Sequence, residues 1–146
     1  MNSLDPYLKL FDNISWTLTD GGDLSDIRFH DTELPINADP KRFQELLVPL
    51  TTGPIKIYYI ADLEIQIVYS PGMSFLDILG AINTFYSSHV SKEFILQNSG
   101  KIYGCSGVID AINNGEDVTF VEFLGDHVYF GGIGKRKDGY FIGLES

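Results

Sequence analysis

The stretch that most constrains this chain is Ser74 to Tyr86, Ser-Phe-Leu-Asp-Ile-Leu-Gly-Ala-Ile-Asn-Thr-Phe-Tyr. Phe75, Ile78, Leu79, Ile82, Phe85 and Tyr86 recur at three- and four-residue steps, which places them on one stripe of a helix. Ser74 sits where a cap belongs, and Asp77 three residues on can reach back to the Ser74 amide while favouring the positive end of the helix dipole. Pro71-Gly72 marks a turn just upstream. Gly80 breaks the pattern, because a glycine inside a helix costs about 1 kcal/mol relative to alanine. Close approach of a neighbouring strand backbone would account for it. A helix with a single apolar stripe needs a sheet or other helices to cover that stripe.

The flanking sequence supplies the sheet. Ile55–Ile60 and Leu63–Tyr69 are β-rich runs separated by Ala61-Asp62, the pattern of a hairpin. In the second run Leu63, Ile65, Ile67 and Tyr69 face one way and Glu64, Gln66 and Val68 the other, which predicts an antiparallel sheet with one wet face. Upstream, Asp5-Pro6 with Tyr7, Leu8, Leu10 and Phe11 predicts a short opening helix. Ile14, Trp16 and Leu18 alternate with polar residues as in a half-buried strand. A turn at Asp20-Gly21-Gly22-Asp23 leads to a second strand over Leu24–His30. Asp39-Pro40 opens a helix with Phe43, Leu46 and Leu47 on its buried stripe and Pro49 as its stop. Downstream, Ser91 caps a short helix through Leu96, and Val108–Ile112 adds a helical turn before Asn113-Asn114-Gly115. The last third reads as strands at Val118–Leu124, His127–Phe130 and Tyr140–Leu144, joined by Gly125-Asp126 and by Gly134–Gly139. The expectation is a single α+β domain over 1–146. Its sheet is mostly antiparallel, with one central helix (about 74–87) and two or three short helices packed on it.

Size and composition agree. A chain of 146 residues falls in the usual range of one domain and buries about two thirds of its unfolded surface. A hydrophobic share of 44% with 13% aromatics is that of a globular chain. No apolar run approaches the roughly 18 residues that span a bilayer, and the amino terminus lacks the pattern of a secretory signal, so an intracellular setting and no membrane are expected. The one cysteine, Cys105, excludes an internal disulfide. A net charge of −10 argues against nucleic acid as a partner, since that affinity comes from cations neutralising phosphates. Asp12, Asp20, Asp23, Asp26, Asp31, Glu33 and Asp39 crowd the first third, with Arg28 the only cation among them. That face is either solvated or a dock for a basic protein.

Chemistry-bearing motifs are sparse. Gly131-Gly132-Ile133-Gly134-Lys135 suggests a phosphate loop, but Tyr129 and Arg136 stand where its glycine and hydroxyl residue belong. A glycine-rich hairpin connection is the expected reading. Lys135, Arg136 and Lys137 form the only basic cluster, read as a charged turn guarding a sheet edge or as a weak nucleic-acid contact. Cys105 with Asp126 and His127 supplies the residue types of a small hydrolase or transferase, a thiol nucleophile with its base. No spacing of a metal site occurs, and neither metal nor cofactor is expected. Tyr58, Tyr59 and Tyr69 lie on expected strands, where aromatics serve either core or interface.

Three segments carry a family resemblance. Ile14-Ser15-Trp16-Thr17-Leu18 looks like a tryptophan-bearing strand, and Ile65-Gln66-Ile67 followed by Met73–Ile82 looks like a strand leading into a helix with an Asp-x-Leu core. Phe120–Ile133 looks like a glycine turn between two strands, with Gly125-Asp126-His127 ahead of paired aromatics. Together they resemble a domain of uncharacterised function found in small proteins of giant DNA viruses of amoebae and in basidiomycete fungal proteins. Where the viral form has Phe-Phe-Glu-Gly, this chain has Tyr129-Phe130-Gly131-Gly132. The resemblance implies a fold and no reaction. A non-enzymatic protein that works by protein–protein contact is therefore expected, in the host cytoplasm or nucleus or in a virion. A homodimer through an open strand edge or a tyrosine-rich face would fit it.

Overall fold

The computed structural model describes residues 2–19, 23–51, 55–60, 63–68, 72–98, 100–102, 105–137 and 139–145. In chain order the elements are β1 (Asn2–Ser3), α1 (Leu8–Asp12), β2 (Ile14–Ser15), β3 (Arg28–Phe29), α2 (Pro40–Glu45), β4 (Leu50–Thr51), β5 (Ile55–Ile60) and β6 (Leu63–Val68). Helices α3 (Phe75–Tyr86), α4 (Lys92–Gln97) and α5 (Ser106–Asn113) follow, then strands β7 (Tyr129–Arg136) and β8 (Gly139–Glu145). Short 3-10 turns cover Asp5–Tyr7, Leu24–Asp26 and Phe120–Leu124. The fold is α+β.

Helix α3 forms as its residues dictate. The Asp77 N–H donates to Ser74 Oγ at 3.1 Å, and the Ser74 N–H donates to the Asp77 carboxylate at 2.9 Å. Two otherwise orphaned amides are thereby satisfied. Phe75, Ile78, Leu79, Ile82 and Tyr86 are buried, and half-buried Phe85 stacks on Phe120 with centroids 4.6 Å apart. Phe75 stacks on Phe11 of α1 at 4.0 Å, so the first and central helices share one core. Gly80 does not meet a strand backbone. A Cβ there would touch only Leu24 Cδ1, at 3.8 Å, which is ordinary contact. Asp39 caps α2 and Ser91 caps α4 through their side-chain oxygens. Because α2 ends at Glu45, Leu47 falls off the stripe and lies exposed while Leu46 is fully buried.

The main sheet runs β6-β5-β8-β7. Its two hairpins, β5–β6 and β7–β8, are antiparallel, and they join through a parallel β5–β8 seam. A parallel neighbour requires a long crossover, and the α3–α5 segment provides it. Ile55, Leu63, Ile133, Tyr140 and Ile142 enter the apolar cluster that also holds Phe11, Phe75 and Ile78. Glu64 and Gln66 alternate outward, as expected for β6. Ile14, Trp16 and Leu18 are buried between exposed Ser15, Thr17 and Thr19, yet only Ile14–Ser15 forms a ladder, with Phe29 and Arg28.

Two expected strands and one expected connection differ. Leu24–Asp26 is a 3-10 turn because Asp23 accepts the Ser25 N–H, leaving only Arg28–Phe29 as paired strand. Val118–Leu124 is not a strand: Phe120–Leu124 forms a 3-10 helix, with the Glu122 carboxylate accepting the Thr119 N–H at 2.9 Å. The Thr-x-x-Glu spacing outweighs the β preference of Val121 and Phe123. Finally, Gly131–Gly134 is no hairpin connection. These glycines lie inside β7, which continues to Arg136 before the turn at Lys137.

Candidate functional site

Successive strand residues face opposite sides, so Phe141 lies across the sheet from Tyr140 and Ile142. It is buried, although it lies outside the main apolar cluster. The parallel register sets Lys56 beside it. Lys56 Nζ stands 5.6 Å from the Phe141 centroid and 2.6 Å from Glu64 Oε1, and Arg136 Cζ lies 4.6 Å over the same ring. Two cationic ends thus lie over one aromatic ring, the arrangement of a cation–π contact.

Beside this ring lies a groove of about 360 Å³ lined by Gly131–Gly134, Arg136, Phe141 and Asp12, the last against Gly132. Register slips between Phe130 and Ile133, marking a bulge. Gly132 has φ 94°, and a Cβ on it would collide with the Asp12 carboxylate. A Cβ on Gly131 would stand 2.9 Å from Glu145 Cδ, and one on Gly143 would press on the Gly131 carbonyl oxygen at 3.3 Å. The glycines let α1 and the β8 backbone close on β7. They do not cradle a phosphate, since β7 runs on as strand with no helix start to face an anion.

Among the described residues, backbone pairing along the outer edge of β7 is confined to its beginning. Leu18 N–H donates to the Val128 carbonyl and Phe130 N–H to the Trp16 carbonyl, with Thr17 bridging to Tyr129. From Gly131 to Arg136 no further strand pairs with that edge among the described residues. Tyr129, at the covered end, is about half exposed.

The basic triplet does not form one patch. Lys135 lies on the Tyr140 side, its Nζ 2.8 Å from an Asp5 carboxylate that also accepts the Tyr140 hydroxyl at 2.6 Å. Hydrogen bonds from Lys135 and then Tyr140 hold the Asp5 carboxyl below its usual 3.8. Arg136 takes the opposite face over Phe141, and Lys137 stands exposed at the turn. Strand alternation divides what the linear sequence presents as a cluster.

Cys105 is half-buried just ahead of α5, and burial pushes its thiol above the usual value. That disfavours the thiolate a nucleophile needs. Asp126 and His127 lie together on an exposed turn, Oδ1 to Nε2 3.8 Å. Among the described residues no hydrogen bond joins Cys105 to either. Nor do the described His, Cys, Asp and Glu gather in threes for a metal. Tyr58 and Tyr59 fall on β5 with side chains outside the description, and Tyr69 lies outside the described residues altogether. No helix among the described residues is long and apolar enough to cross a membrane.

In the acidic first third, Asp31 binds Arg42 through two 3.0 Å hydrogen bonds, while Arg42 stacks 3.7 Å over Phe29. The Arg42 guanidinium holds the Asp31 carboxyl below its usual range. Arg28 donates to the Glu33 carbonyl at 3.0 Å. Phe141, Glu145, the contact of Asp12 with Gly132 and the β7 bulge escaped the sequence reading. One signal was available: the run Tyr140-Phe141-Ile142 is apolar on both faces, as a strand covered on both sides must be. Set against protein-family models, curated proteins and solved structures, the chain matches none.

Proposed function

We propose that the chain is a non-enzymatic protein–protein interaction module whose contact surface is the outer sheet face around Phe141 and the β7 edge beside it. The observation that carries this reading is the pairing of a cation-roofed aromatic with an open strand edge along one groove. Strand edges take up extended segments through main-chain hydrogen bonds, and aromatic and arginine side chains anchor interfaces. The partial burial of Cys105 and the exposure of Asp126 and His127 weigh against a thiol hydrolase or transferase. The division of Lys135, Arg136 and Lys137 between two faces and a turn weighs against a nucleic-acid site. The resemblance to the giant-virus domain supports a virion-associated or host-directed role, and self-association is part of the proposal.

The test has two arms. Native mass spectrometry of the protein as purified should give only masses of the bare chain, as monomer or dimer; a retained metal or small molecule would overturn the reading. Immobilised protein should capture a defined partner that Lys56→Glu, which reverses the charge beside Phe141, releases. Equal capture by wild type and variant would remove the outer face from the function.

A further inference from the structure

We infer that the open edge of β7 pairs with β7 of a second copy, antiparallel about a two-fold axis at Gly134. This deepens the proposed function and rests on it. Four observations carry it. The outer edge from Gly131 to Arg136 has no strand partner among the described residues. Gly134 is exposed, and a Cβ on it would meet nothing within 4 Å, so another backbone can approach there. The groove is lined by a guanidinium, Arg136, and by a carboxylate, Asp12, which lies beside Gly132 four residues back along β7. Glu145 extends the acidic end beside Gly131, and exposed Lys137 extends the basic one.

An antiparallel pairing centred on Gly134 sets each Arg136 opposite Gly132 of the second copy, against its Asp12. Lys137, in the turn just past β7, is brought to the Gly131 end of the second copy, where Glu145 lies. The polarity of the groove is therefore self-complementary, as a two-fold interface requires. Both charge contacts form twice, and they fix the register that a glycine-rich edge alone would leave loose. A chain of net charge −10 otherwise repels its own copy. The separation of sign along the groove, with Arg136 of β7 apart from Asp12 of α1 and Glu145 of β8, is what makes this edge an exception. The contact is short, so the dimer belongs to the weak, concentration-dependent class.

The decisive experiment places a cysteine on the axis. In a Cys105→Ala background, Gly134→Cys should form a disulfide-linked dimer under mild oxidation. Facing antiparallel residues stand about 4.5 to 5.5 Å apart at Cα, within disulfide range. Lys9→Cys, on α1, should not cross-link in the same background. Sedimentation of the unmodified protein should show a dimer fraction that rises with concentration and falls with salt. Arg136→Glu should raise the dissociation constant at least about tenfold, with an unchanged circular dichroism spectrum. A dimer that neither cross-links through residue 134 nor responds to Arg136→Glu overturns the β7 pairing and leaves the protein-contact reading standing. A monomer at every concentration also overturns the pairing, and the protein-contact reading then stands or falls by the Lys56→Glu capture.

Discussion

Helix α3 and strand β7 each carry a glycine where regular structure disfavours one, and the two have opposite causes. Around Gly80 there is room: only a leucine methyl lies within van der Waals contact of the missing Cβ. Around Gly132 there is none, because the backbone is left-handed and the Asp12 carboxylate occupies the Cβ position. One glycine weakens an element that its cap and apolar stripe already secure. The other holds a left-handed backbone conformation with the Asp12 carboxylate lodged where its Cβ would stand. The same residue type thus marks slack in one place and a tight contact in the other, and only the neighbours distinguish them.

Substitution should separate these cases, most sharply at Gly132. Gly132→Ala should destabilise the fold by about 2 to 3 kcal/mol, combining a left-handed alanine with displacement of Asp12. In chemical denaturation, adding Asp12→Ala should recover the steric part and leave about 1 kcal/mol of backbone cost. An additive double mutant would break the assignment of the glycine to the α1 contact. The cap of α3 comes next. Ser74→Ala should cost about 1 kcal/mol, since the Asp77 amide loses its acceptor and the capping box opens. A value near zero would show that packing alone holds the start of this helix.

Gly80→Ala should act in the opposite direction, raising stability by about 0.5 to 1 kcal/mol. A loss instead would mean that α3 approaches a neighbour closely after all. The smallest effect concerns the link between Asp5 and the β7–β8 hairpin. The Asp5 carboxyl titrates below its usual 3.8 in the folded protein, so its contribution is present above that pH. It is lost as pH falls through the lower folded value. Asp5→Asn should therefore lower stability slightly at neutral pH and flatten the acid limb of the denaturation curve. A variant curve parallel to wild type below pH 3.8 would show that Lys135 and Tyr140 do not favour the ionised form.

Legibility follows the range of the forces involved. Ser74 with Asp77, Asp39 with Pro40, and Ser91 specify helix starts within four residues, and all three stand where the residues place them. Alternation over Leu63–Gln66 and Ile14–Thr19 likewise reports which side chains go inside. The reading failed where a local polar contact outbid β preference, as at Thr119 with Glu122 and Asp23 with Ser25. It failed again where the cause lay far along the chain. Asp5 meets Lys135 and Tyr140 across an interval of 130 residues or more, and nothing in either segment announces it.

Local chemistry therefore settled the α+β class, the helix caps, the β5–β6 hairpin and the burial of the α3 stripe. Tertiary structure alone set the parallel β5–β8 seam, the roof of Lys56 and Arg136 over Phe141, and the division of the basic triplet between two faces. The reason is physical. Caps, turns and periodicity act between residues a few positions apart, which the unfolded chain already holds together. A sheet order, a bulge glycine or a cation over a ring exists only once distant segments have been brought into contact by burying a shared core.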